Sequence, residues 1–597
     1  GSMVNYQVRR PHNPYWIANE MLSEDTRNRM MGYLSTRYQF TNWLSIKLRA
    51  GTDFYNDLRF ERIGIGTTGA NTIRGGVKNI QWSVREDNID ALLTANGKIN
   101  RDLTGSFSIG ANHLDRRNEV LRATGDNLIV DGVYHISNAL NVVTSNGLTR
   151  KVMNSVYAMG QLGYKNFLFL DLTGRNDWSS TLGMNNYSFF YPSASLSFAF
   201  TDLIRIDPAI LSFGKLRASL AAAGNDASPY QTKSGYSLTS TYFNGQPMAT
   251  YGVRIPLLDL KNELTISREL GMDLRFFQDR LGIDLTYYHS TTKNQIIPIP
   301  VSRGSGYSTK MINAGELSNQ GIELLLNIAP IRNPKGFNWD ITVNFSRNRS
   351  KVVSLVEGVT SLSLLDHSYV GIEARPGEEY GNIVGFKYLR TEDGQLLLNS
   401  LGRFQNTTTR EILGNIQPDF LGGISNVFSY KGFSLGGLID IRKGGQIFSY
   451  TKYQEMANGT GKFTQERQDE MIIEGVIMDA DGKYIKNTIP VSPLEYYAPR
   501  AWSNIGEEFV IDADYVALRE VTLGYVFKSS TLKKTPFSSA KLSIVGRNLL
   551  YIYRDPEFKS MGIAPESAFN TSSAAQGLET FALPTTRSLG INLALSF

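Results

Sequence analysis

Hydrophobic and polar residues alternate with a period of two along much of this chain, and the clearest example is its C-terminus. Leu589, Ile591, Leu593, Leu595 and Phe597 occupy every second position. The intervening residues are small or polar: Ser588, Gly590, Asn592, Ala594 and Ser596. A period of two places each set on its own face of a β-sheet. A strand that is apolar on one face and small or polar on the other suits a barrel with lipid outside and a wet lumen.

The same alternation recurs in segments 193–200, 283–288, 339–346 and 521–527. A β-sandwich produces a similar pattern, but its strands are usually about 5–6 residues long. The runs here last about 9–13 residues, close to the length of a tilted membrane-spanning strand. The pattern therefore predicts an all-β fold, an antiparallel transmembrane β-barrel.

The alternation and the turn signals between the runs predict about 17 strands. Their expected positions are 31–40, 42–53, 85–96, 102–115, 153–164, 166–177, 188–200, 213–224, 268–277, 280–291, 316–329, 338–349, 421–430, 432–443, 512–528, 539–548 and 585–597. Short links alternate with long ones, and the long links are 116–152, 225–267, 292–315, 350–420, 444–511 and 549–584. Outer-membrane barrels have short periplasmic turns and long extracellular loops. The links therefore predict the orientation of the barrel.

The strand count carries an expectation about what precedes residue 1. The last strand follows a long loop, so the C-terminus is expected on the periplasmic side and the first strand is expected to begin outside the cell. Single-chain bacterial barrels have an even number of strands, and plugged transporter barrels have 22. We therefore expect residues 1–597 to be the C-terminal part of a larger barrel, with about five first strands absent.

Composition supports a barrel and excludes several other classes. The chain of 597 residues has 30 Tyr, 30 Phe, 55 Gly and no Cys. No window approaches the roughly 18 consecutive apolar residues of a membrane helix. A net charge of +6 without a basic run makes nucleic acid a poor partner. The lack of cysteine removes disulfides, thiol nucleophiles and thiolate metal sites.

No catalytic or metal-binding constellation is evident, so we expect neither enzymatic activity nor a cofactor. The five histidines are scattered without metal-ligand spacing. Residues 479–482 (DADG) resemble part of a calcium loop but lack the later ligands. Residues 477–485 fit a hairpin with an Asp-Gly turn better, and residues 392–394 (EDG) predict a second such turn.

A series of short motifs resembles the SusC/RagA-type TonB-dependent transporters of Bacteroidetes outer membranes. The segments are 13–16 (NPYW), 174–179 (GRNDWS), 190–193 (FYPS), 215–219 (KLRAS), 224–225 (GN), 319–324 (NQGIEL), 515–525 (YVALREVTLGY), 546–549 (GRNL) and 584–587 (PTTR). Each motif is short, but their order and spacing extend over nearly the whole chain.

The resemblance implies an importer of large nutrients, commonly oligosaccharides or peptides. Family members work with a SusD-like surface lipoprotein that closes over the barrel as a lid, and TonB pulls on a plug inside the barrel. The plug, the TonB-contacting segment and the first strands are expected to precede residue 1, so the resemblance places TonB contact in a missing N-terminal region.

Aromatic residues in or beside the long links are candidates for contact with a ligand or with the lid. The main candidates are Trp178, Tyr187, Tyr230, Tyr236, Tyr242, Tyr307, Tyr450, Tyr496 and Trp502, and Phe243, Tyr453 and Tyr497 belong to the same set. Aromatic rings suit the apolar faces of sugars and also bury well against a protein. An aromatic girdle at the membrane boundary is the competing interpretation.

The two longest links, 350–420 and 444–511, contain apolar clusters and paired turn signals. Long loops without regular structure are usually functional or disordered. We predict that these two are ordered, contain their own hairpins and dock the lid lipoprotein.

The terminal strand carries a further expectation. Barrel-assembly machinery commonly reads a C-terminal aromatic residue, and the family resemblance extends to Phe597. Leu589, Ile591, Leu593 and Leu595 should contact outer-membrane lipid. Two other functions stay open on sequence alone: a plugless passive pore or surface-display barrel, and a soluble glycan-binding β protein.

Overall fold

A computed structural model describes residues 14–67, 74–204, 206–367, 369–466, 470–502, 505–527 and 529–597. The side chains of residues 14, 240–242, 499–502 and 529 are also outside the described set. Consequently two of the candidate aromatics, Tyr242 and Trp502, have a described backbone only.

One sheet of 17 strands dominates the structure, as the alternation predicts. Numbered within this sheet, the strands are β1 (Ser23–Gln39), β2 (Leu44–Ile63), β3 (Gly76–Lys98), β4 (Leu103–Leu128), β5 (Ala139–Tyr164), β6 (Leu168–Ser179), β7 (Ser188–Ala199), β8 (Leu211–Asn225), β9 (Glu263–Phe276), β10 (Leu281–Lys293), β11 (Glu316–Ile331), β12 (Phe337–Ser354), β13 (Phe420–Tyr430), β14 (Phe433–Lys443), β15 (Tyr515–Val526), β16 (Ser539–Arg554) and β17 (Ser588–Ser596). The predicted strands correspond to them one for one.

Every strand pairs antiparallel with its neighbours in chain order, including pairs separated by long loops. Loop 226–262 separates β8 from β9, yet Glu263 pairs with Asn225 at the end of the ladder. The sheet is therefore a continuous meander, and each long loop starts and ends at adjacent positions on one rim.

The register places the outward and inward sets of neighbouring strands on common faces. Leu593 pairs with Leu542, and Ile591 pairs with Ile544. Leu542 in turn pairs with Tyr525 on β15. Because residues two apart share a face, the apolar set of β17 continues an apolar surface across β16 and β15. That this face of the terminal strand contacts lipid stays a prediction.

The two edges of the sheet are β1 and β17. In the described part of the chain no pairing joins them, and every residue of both strands is exposed. The expectation of a 22-stranded barrel with strands upstream stays a prediction.

The prediction of a long link over residues 116–152 was wrong. Strands β4 and β5 pair from Leu103 and Tyr164 up to Leu128 and Ala139, so the link shrinks to residues 129–138. The alternation fades above residue 115 because both faces of the upper halves of these strands carry polar residues. Sequence periodicity reports a difference between two faces, and here that difference is small.

The loops between β12 and β13, β14 and β15, and β16 and β17 fold together into one unit, which we term the cap. Its core draws on all three loops, with Ile372 and Ile383 from the first, Phe448 and Phe509 from the second and Leu578 from the third. A four-stranded sheet in the first loop consists of Leu362–Asp366, Val370–Ala374, Asn382–Gly385 and Glu411–Asn415. The predicted order of the two longest loops is confirmed, and the third loop joins them.

The remaining helices and short strands lie outside the large sheet. The helices are α1 (Pro14–Glu20), α2 (Tyr450–Asn458), α3 (Pro493–Trp502), α4 (Ser529–Leu532) and α5 (Pro556–Met561). The other short strands are Tyr236–Phe243, Gln246–Tyr251, Arg254–Ile255, Ile296–Pro300, Thr309–Asn313, Leu397–Leu398, Gln446–Ser449, Met471–Ile472, Val476–Met478, Tyr484–Lys486, Pro490–Val491, Val510–Asp512 and Leu578–Glu579. None of the helices in the described ranges has the length and apolar character needed to span a bilayer.

Both predicted Asp-Gly turns are present. In the hairpin between Val476–Met478 and Tyr484–Lys486, the Asp479 carboxylate accepts backbone hydrogen bonds from Asp481 at 3.0 Å and Lys483 at 2.8 Å. Gly394 closes the other turn with a positive φ of 88° and a 3.0 Å bond from its N–H to the Thr391 carbonyl.

Candidate functional site

The inward face of the barrel wall carries paired charges. The Arg217 guanidinium on β8 donates to Asp284 Oδ1 at 2.5 Å and to Thr286 Oγ1 at 2.5 Å, and both acceptors lie on β10. To reach them the side chain crosses β9 over Gly271, where an added Cβ would lie 2.4 Å from Arg217 Nε. Glycine at this position therefore allows an ion pair to span two strands. These residues line a concavity of about 610 Å³ on the wall.

A second inward cluster joins the wall to the last long loop. Arg519 Nε donates to Asp440 Oδ2 at 2.8 Å, and Arg519 Nη1 lies 2.8 Å from Glu566 Oε1. Tyr515 donates to the same Asp440 oxygen at 3.0 Å, and Tyr551 donates to Glu566 at 2.7 Å. The cap is thereby fastened to the wall through a charge network at the extracellular rim.

A third inward cluster surrounds Asp177 on β6, whose side chain is nearly buried. Arg175 donates to Asp177 Oδ1 at 2.7 Å and to Ser155 Oγ at 2.7 Å, and Tyr191 donates to the other carboxylate oxygen. Each cation in the three clusters is matched by a carboxylate. The inner wall thus carries three charge-compensated clusters in the described part of the chain.

The cap is tied together by a buried carboxylate on its third loop. Glu579 is 0 % exposed. Its oxygens accept hydrogen bonds from the hydroxyls of Ser449 and Thr451, each at 2.7 Å, and from the Ala582 N–H at 3.0 Å. Ser449 is also the N-cap of α2, accepting from the Lys452 N–H. The Glu579 carboxylate therefore joins the start of α2 to the third loop of the cap.

Two of the predicted aromatics, Tyr450 and Tyr496, pack within the cap. Tyr450 stacks on Tyr453 with ring centroids 5.3 Å apart, and Tyr453 is only 4 % exposed. Tyr496 contacts Tyr497 at 4.9 Å and Phe404 at 6.1 Å. Both rings are only half-buried, so each keeps a surface that a ligand or lid could contact, and that role stays a prediction.

Tyr236 and Tyr307, which come from different long loops, are brought together by the fold. Tyr251 stands between them, with its ring centroid 5.1 Å from that of Tyr236 and 6.0 Å from that of Tyr307. Tyr236 is 78 % exposed. We call these three rings the tyrosine cluster. It sits on the hairpin of Tyr236–Phe243 and Gln246–Tyr251, whose other exposed apolar side chains include Leu238 and Phe243.

Tyr251 is not among the aromatic residues predicted from the sequence, although the sequence contains a signal for its position. Asn244 and Gly245 both have positive φ values, 48° and 76°, and they connect the two strands of the hairpin. An Asn-Gly pair is a strong indicator of a two-residue hairpin turn. Folding the segment about that turn places Tyr251 opposite Tyr236. His367, Tyr369 and Phe581, which pack around Tyr450, had no comparable signal because their neighbours are distant in sequence.

The remaining candidates lie apart from these clusters. Trp178 is on β6 with its side chain on the same face as Leu170 and Leu172, the outward face, where an aromatic girdle would lie. Tyr187 is exposed just before β7. Tyr230 accepts a 3.2 Å hydrogen bond from the Arg150 N–H through its hydroxyl. The side chains of Tyr242 and Trp502 lie outside the described residues.

Potential metal ligands do not converge in the described ranges, where no three His, Cys, Asp or Glu side chains form a group that could hold an ion.

Comparison with known proteins identifies relatives of the whole chain. Residues 3–464 match the family described as TonB dependent receptor-like, beta-barrel. TonB-dependent receptor P3 of Formosa agariphila is 25% identical over 626 residues, which cover 98% of this chain and 60% of the relative. TonB-dependent receptor SusC of Bacteroides thetaiotaomicron is 22% identical over 410 residues, covering 64% of this chain and 38% of the relative. The chain thus spans about 60% of the length of the P3 receptor that it matches.

Among solved structures, the RagAB peptide transporter superposes with a TM-score of 0.79 at 19% sequence identity. The match covers 100% of this chain and 64% of that chain. At this level of identity the match shows a shared fold.

Proposed function

Because this chain belongs to the TonB dependent receptor-like β-barrel family, an outer-membrane family of Gram-negative bacteria, we propose that it is the barrel of an importer for a large nutrient, an oligosaccharide or a peptide. The observation that carries the proposal is the combination of a 17-stranded meander with a cap built from three of its long loops. The three loops of the cap leave the sheet between adjacent strands on one rim and share one core, which supports a role in selecting cargo there.

We further propose that a SusD-like surface lipoprotein closes over the cap and the tyrosine cluster. The exposed rings of that cluster support this proposal, because large exposed apolar patches mark interaction sites. Dependence on TonB is part of the same proposal and rests on membership of the family. The barrel-assembly machinery and outer-membrane lipid complete the proposed set of partners.

The test is energy-dependent uptake by the full-length transporter, expressed in a Bacteroidetes host together with its neighbouring lipoprotein gene. Radiolabelled oligosaccharide and peptide mixtures are supplied to cells with and without the transporter gene. We expect uptake of one mixture to require the gene and to stop when a protonophore collapses the proton gradient.

Uptake that depends on the gene but persists with the protonophore would instead establish the alternative, a plugless passive pore or display barrel. The sequence upstream of residue 1 gives an independent check. A gene that encodes no plug-sized domain there would contradict the importer. Membership of an outer-membrane family leaves the soluble glycan-binding alternative without support.

A further inference from the structure

An apolar groove lies on the outward face of the sheet, across strands β3 to β6. Its volume is about 480 Å³, within the range of about 300–1,000 Å³ that is usual for ligand sites. Each of these four strands is paired on both sides, so the groove is inside the sheet and away from its two edges. The apolar side chains that line it include Trp43, Ile99, Phe107, Leu162, Leu170 and Leu172.

The register of the strands shows how the groove forms. Gly97 pairs with Gly105, and Gly105 pairs with Leu162. Two residues further along β4, Phe107 pairs with Gly160. Directly paired residues, and residues two apart on one strand, share a face of the sheet. Three glycines therefore leave bare backbone beside the side chains of Phe107 and Leu162, which makes a gap in an otherwise apolar surface.

Two of these glycines are required neither by the backbone nor by packing. Neither Gly97 nor Gly160 has a positive φ. An added Cβ would have its nearest neighbour at 4.0 Å at Gly97 and at 3.9 Å at Gly160, which are ordinary contact distances. Gly105 differs, because its Cβ would lie 2.9 Å from Ile99 Cδ1. Glycine weakens the interior of a strand and often marks a place where a ligand approaches closely. Gly97 and Gly160 therefore indicate an occupant of the groove.

The groove lies beside the rim of short turns, where positive charge is left uncompensated. Trp43, in the turn between β1 and β2, lines the groove, and aromatic residues form girdles at the membrane boundary. Lys98 ends β3 and also lines the groove, and Arg101 is in the following turn. In the described part of the chain neither cation has a carboxylate within ion-pair distance, because the neighbouring Asp102 pairs with Lys165 at 3.8 Å.

We propose that this groove holds an acyl chain of an anionic phospholipid from the periplasmic leaflet, with the headgroup phosphate beside Lys98 and Arg101. Short turns face the periplasm in outer-membrane barrels, and that leaflet consists of phospholipid. A flexible chain fills the gap that the glycines leave, and basic residues at a membrane surface attract anionic lipid. This site does not depend on the cargo or on the lid, because it is on the outer surface of the barrel.

The test is a titration of the full-length transporter in detergent with phosphatidylglycerol that has brominated acyl chains, since bromine quenches the fluorescence of nearby tryptophan. Trp43 lines the groove, and subtracting the signal of Trp43→Phe isolates its contribution. We expect saturable quenching of Trp43, and we expect Gly160→Leu to weaken lipid binding at least tenfold. Gly437→Leu is the matched control, because Gly437 is on β14, away from the groove, and also has room for an added Cβ.

The headgroup is tested by the same titration with brominated phosphatidylethanolamine, which is zwitterionic. We expect phosphatidylglycerol to bind about fivefold more tightly. Replacing Lys98 and Arg101 together by Gln should abolish that preference.

Heat-modifiable migration on gels shows whether each variant is folded. Gly160→Ala adds one carbon and replaces the leucine variant if that variant does not fold, with an expected weakening of about fourfold. Unchanged lipid binding in the folded Gly160 variant, an equal loss in Gly437→Leu, or equal affinity for the two lipids would overturn the proposal. None of these measurements involves uptake, so their failure is distinguishable from a failure of the importer function.

Discussion

Ser449 and Glu579 are 130 positions apart in sequence, yet the Ser449 hydroxyl donates a 2.7 Å hydrogen bond to the fully buried Glu579 carboxylate. With the bond from Thr451 at 2.7 Å, this contact fastens the third loop of the cap to the start of α2. A carboxylate buried among neutral donors is stable only if those donors stay in place. The relationship therefore makes the integrity of the cap depend on one side chain.

Replacing Glu579 by Ala should loosen the cap without unfolding the barrel. The change leaves the hydroxyls of Ser449 and Thr451 and the Ala582 N–H without their acceptor, at a cost of about 1–3 kcal/mol for a buried group. We expect faster cleavage of the cap by protease added to intact cells. Glu392→Gln, at an exposed turn, is the matched control. Equal cleavage rates in the two variants would show that the bond network does not hold the loop.

A charge on the outward face of the terminal strand should block insertion. Leu593 pairs with Leu542 on that face, whereas Asn592 pairs with Ser543 on the inward face. At mid-membrane depth a charge on the lipid face costs on the order of 2 kcal/mol or more. We expect Leu593→Asp to reduce the heat-modifiable outer-membrane form strongly and Asn592→Asp to leave it near normal. Similar levels for the two variants would mean that the facing is reversed.

Deletion of Phe597 should also lower the outer-membrane level. Its ring contacts Phe537 with centroids 5.2 Å apart, so loss of a packing contact and loss of an assembly signal must be separated. Phe537→Ala removes the same contact but keeps the terminal aromatic residue. We expect a large loss for the deletion and a small one for Phe537→Ala, both measured by immunoblot of outer-membrane fractions. Equal losses would assign the effect to packing.

The tyrosine cluster should contribute to binding of the lid lipoprotein. Exposed aromatic residues at the centre of an interface commonly contribute about 2 kcal/mol or more. We expect Tyr236→Ala with Tyr251→Ala to reduce co-purification of the lipoprotein at least tenfold while the transporter level is maintained. Tyr430→Ala, at an exposed tyrosine beside the short turn between β13 and β14, is the control. If the double variant co-purifies the lipoprotein as well as the unmodified transporter does, the tyrosine cluster does not bind the lid.

The cap should lose stability as the pH falls, because of His367. Burial lowers the pKa of His367 below its ordinary value, and the nearby Asp366 opposes the shift only in part. The unfolded chain then binds a proton more readily than the folded cap, so stability falls as the pH drops through about 6.5 towards the lowered pKa. We expect protease sensitivity of the cap to increase from pH 7.5 to pH 5.5, and His367→Gln to weaken that dependence. A variant with an unchanged pH profile would assign the effect to other groups.

The strands were predictable because a membrane barrel imposes a strong local rule. Residues such as Ile283, Leu285 and Tyr287 must face lipid, and their neighbours must face water, so the contrast can be read from the chain one strand at a time. The rule failed for the upper halves of β4 and β5, where both faces carry polar residues. It also gave no information on Tyr251, Tyr369 or His367, whose roles depend on partners in other loops.

The sequence by itself determined the solvent, the strand count, the alternation of the terminal strand and the sorting of the loops. Each of these follows from local periodicity and turn chemistry. Only the tertiary structure decided that three loops share one core, that Glu579 binds Ser449 and that Tyr251 lies between Tyr236 and Tyr307. These features arise from contacts between distant segments, and no local pattern records which segments will meet.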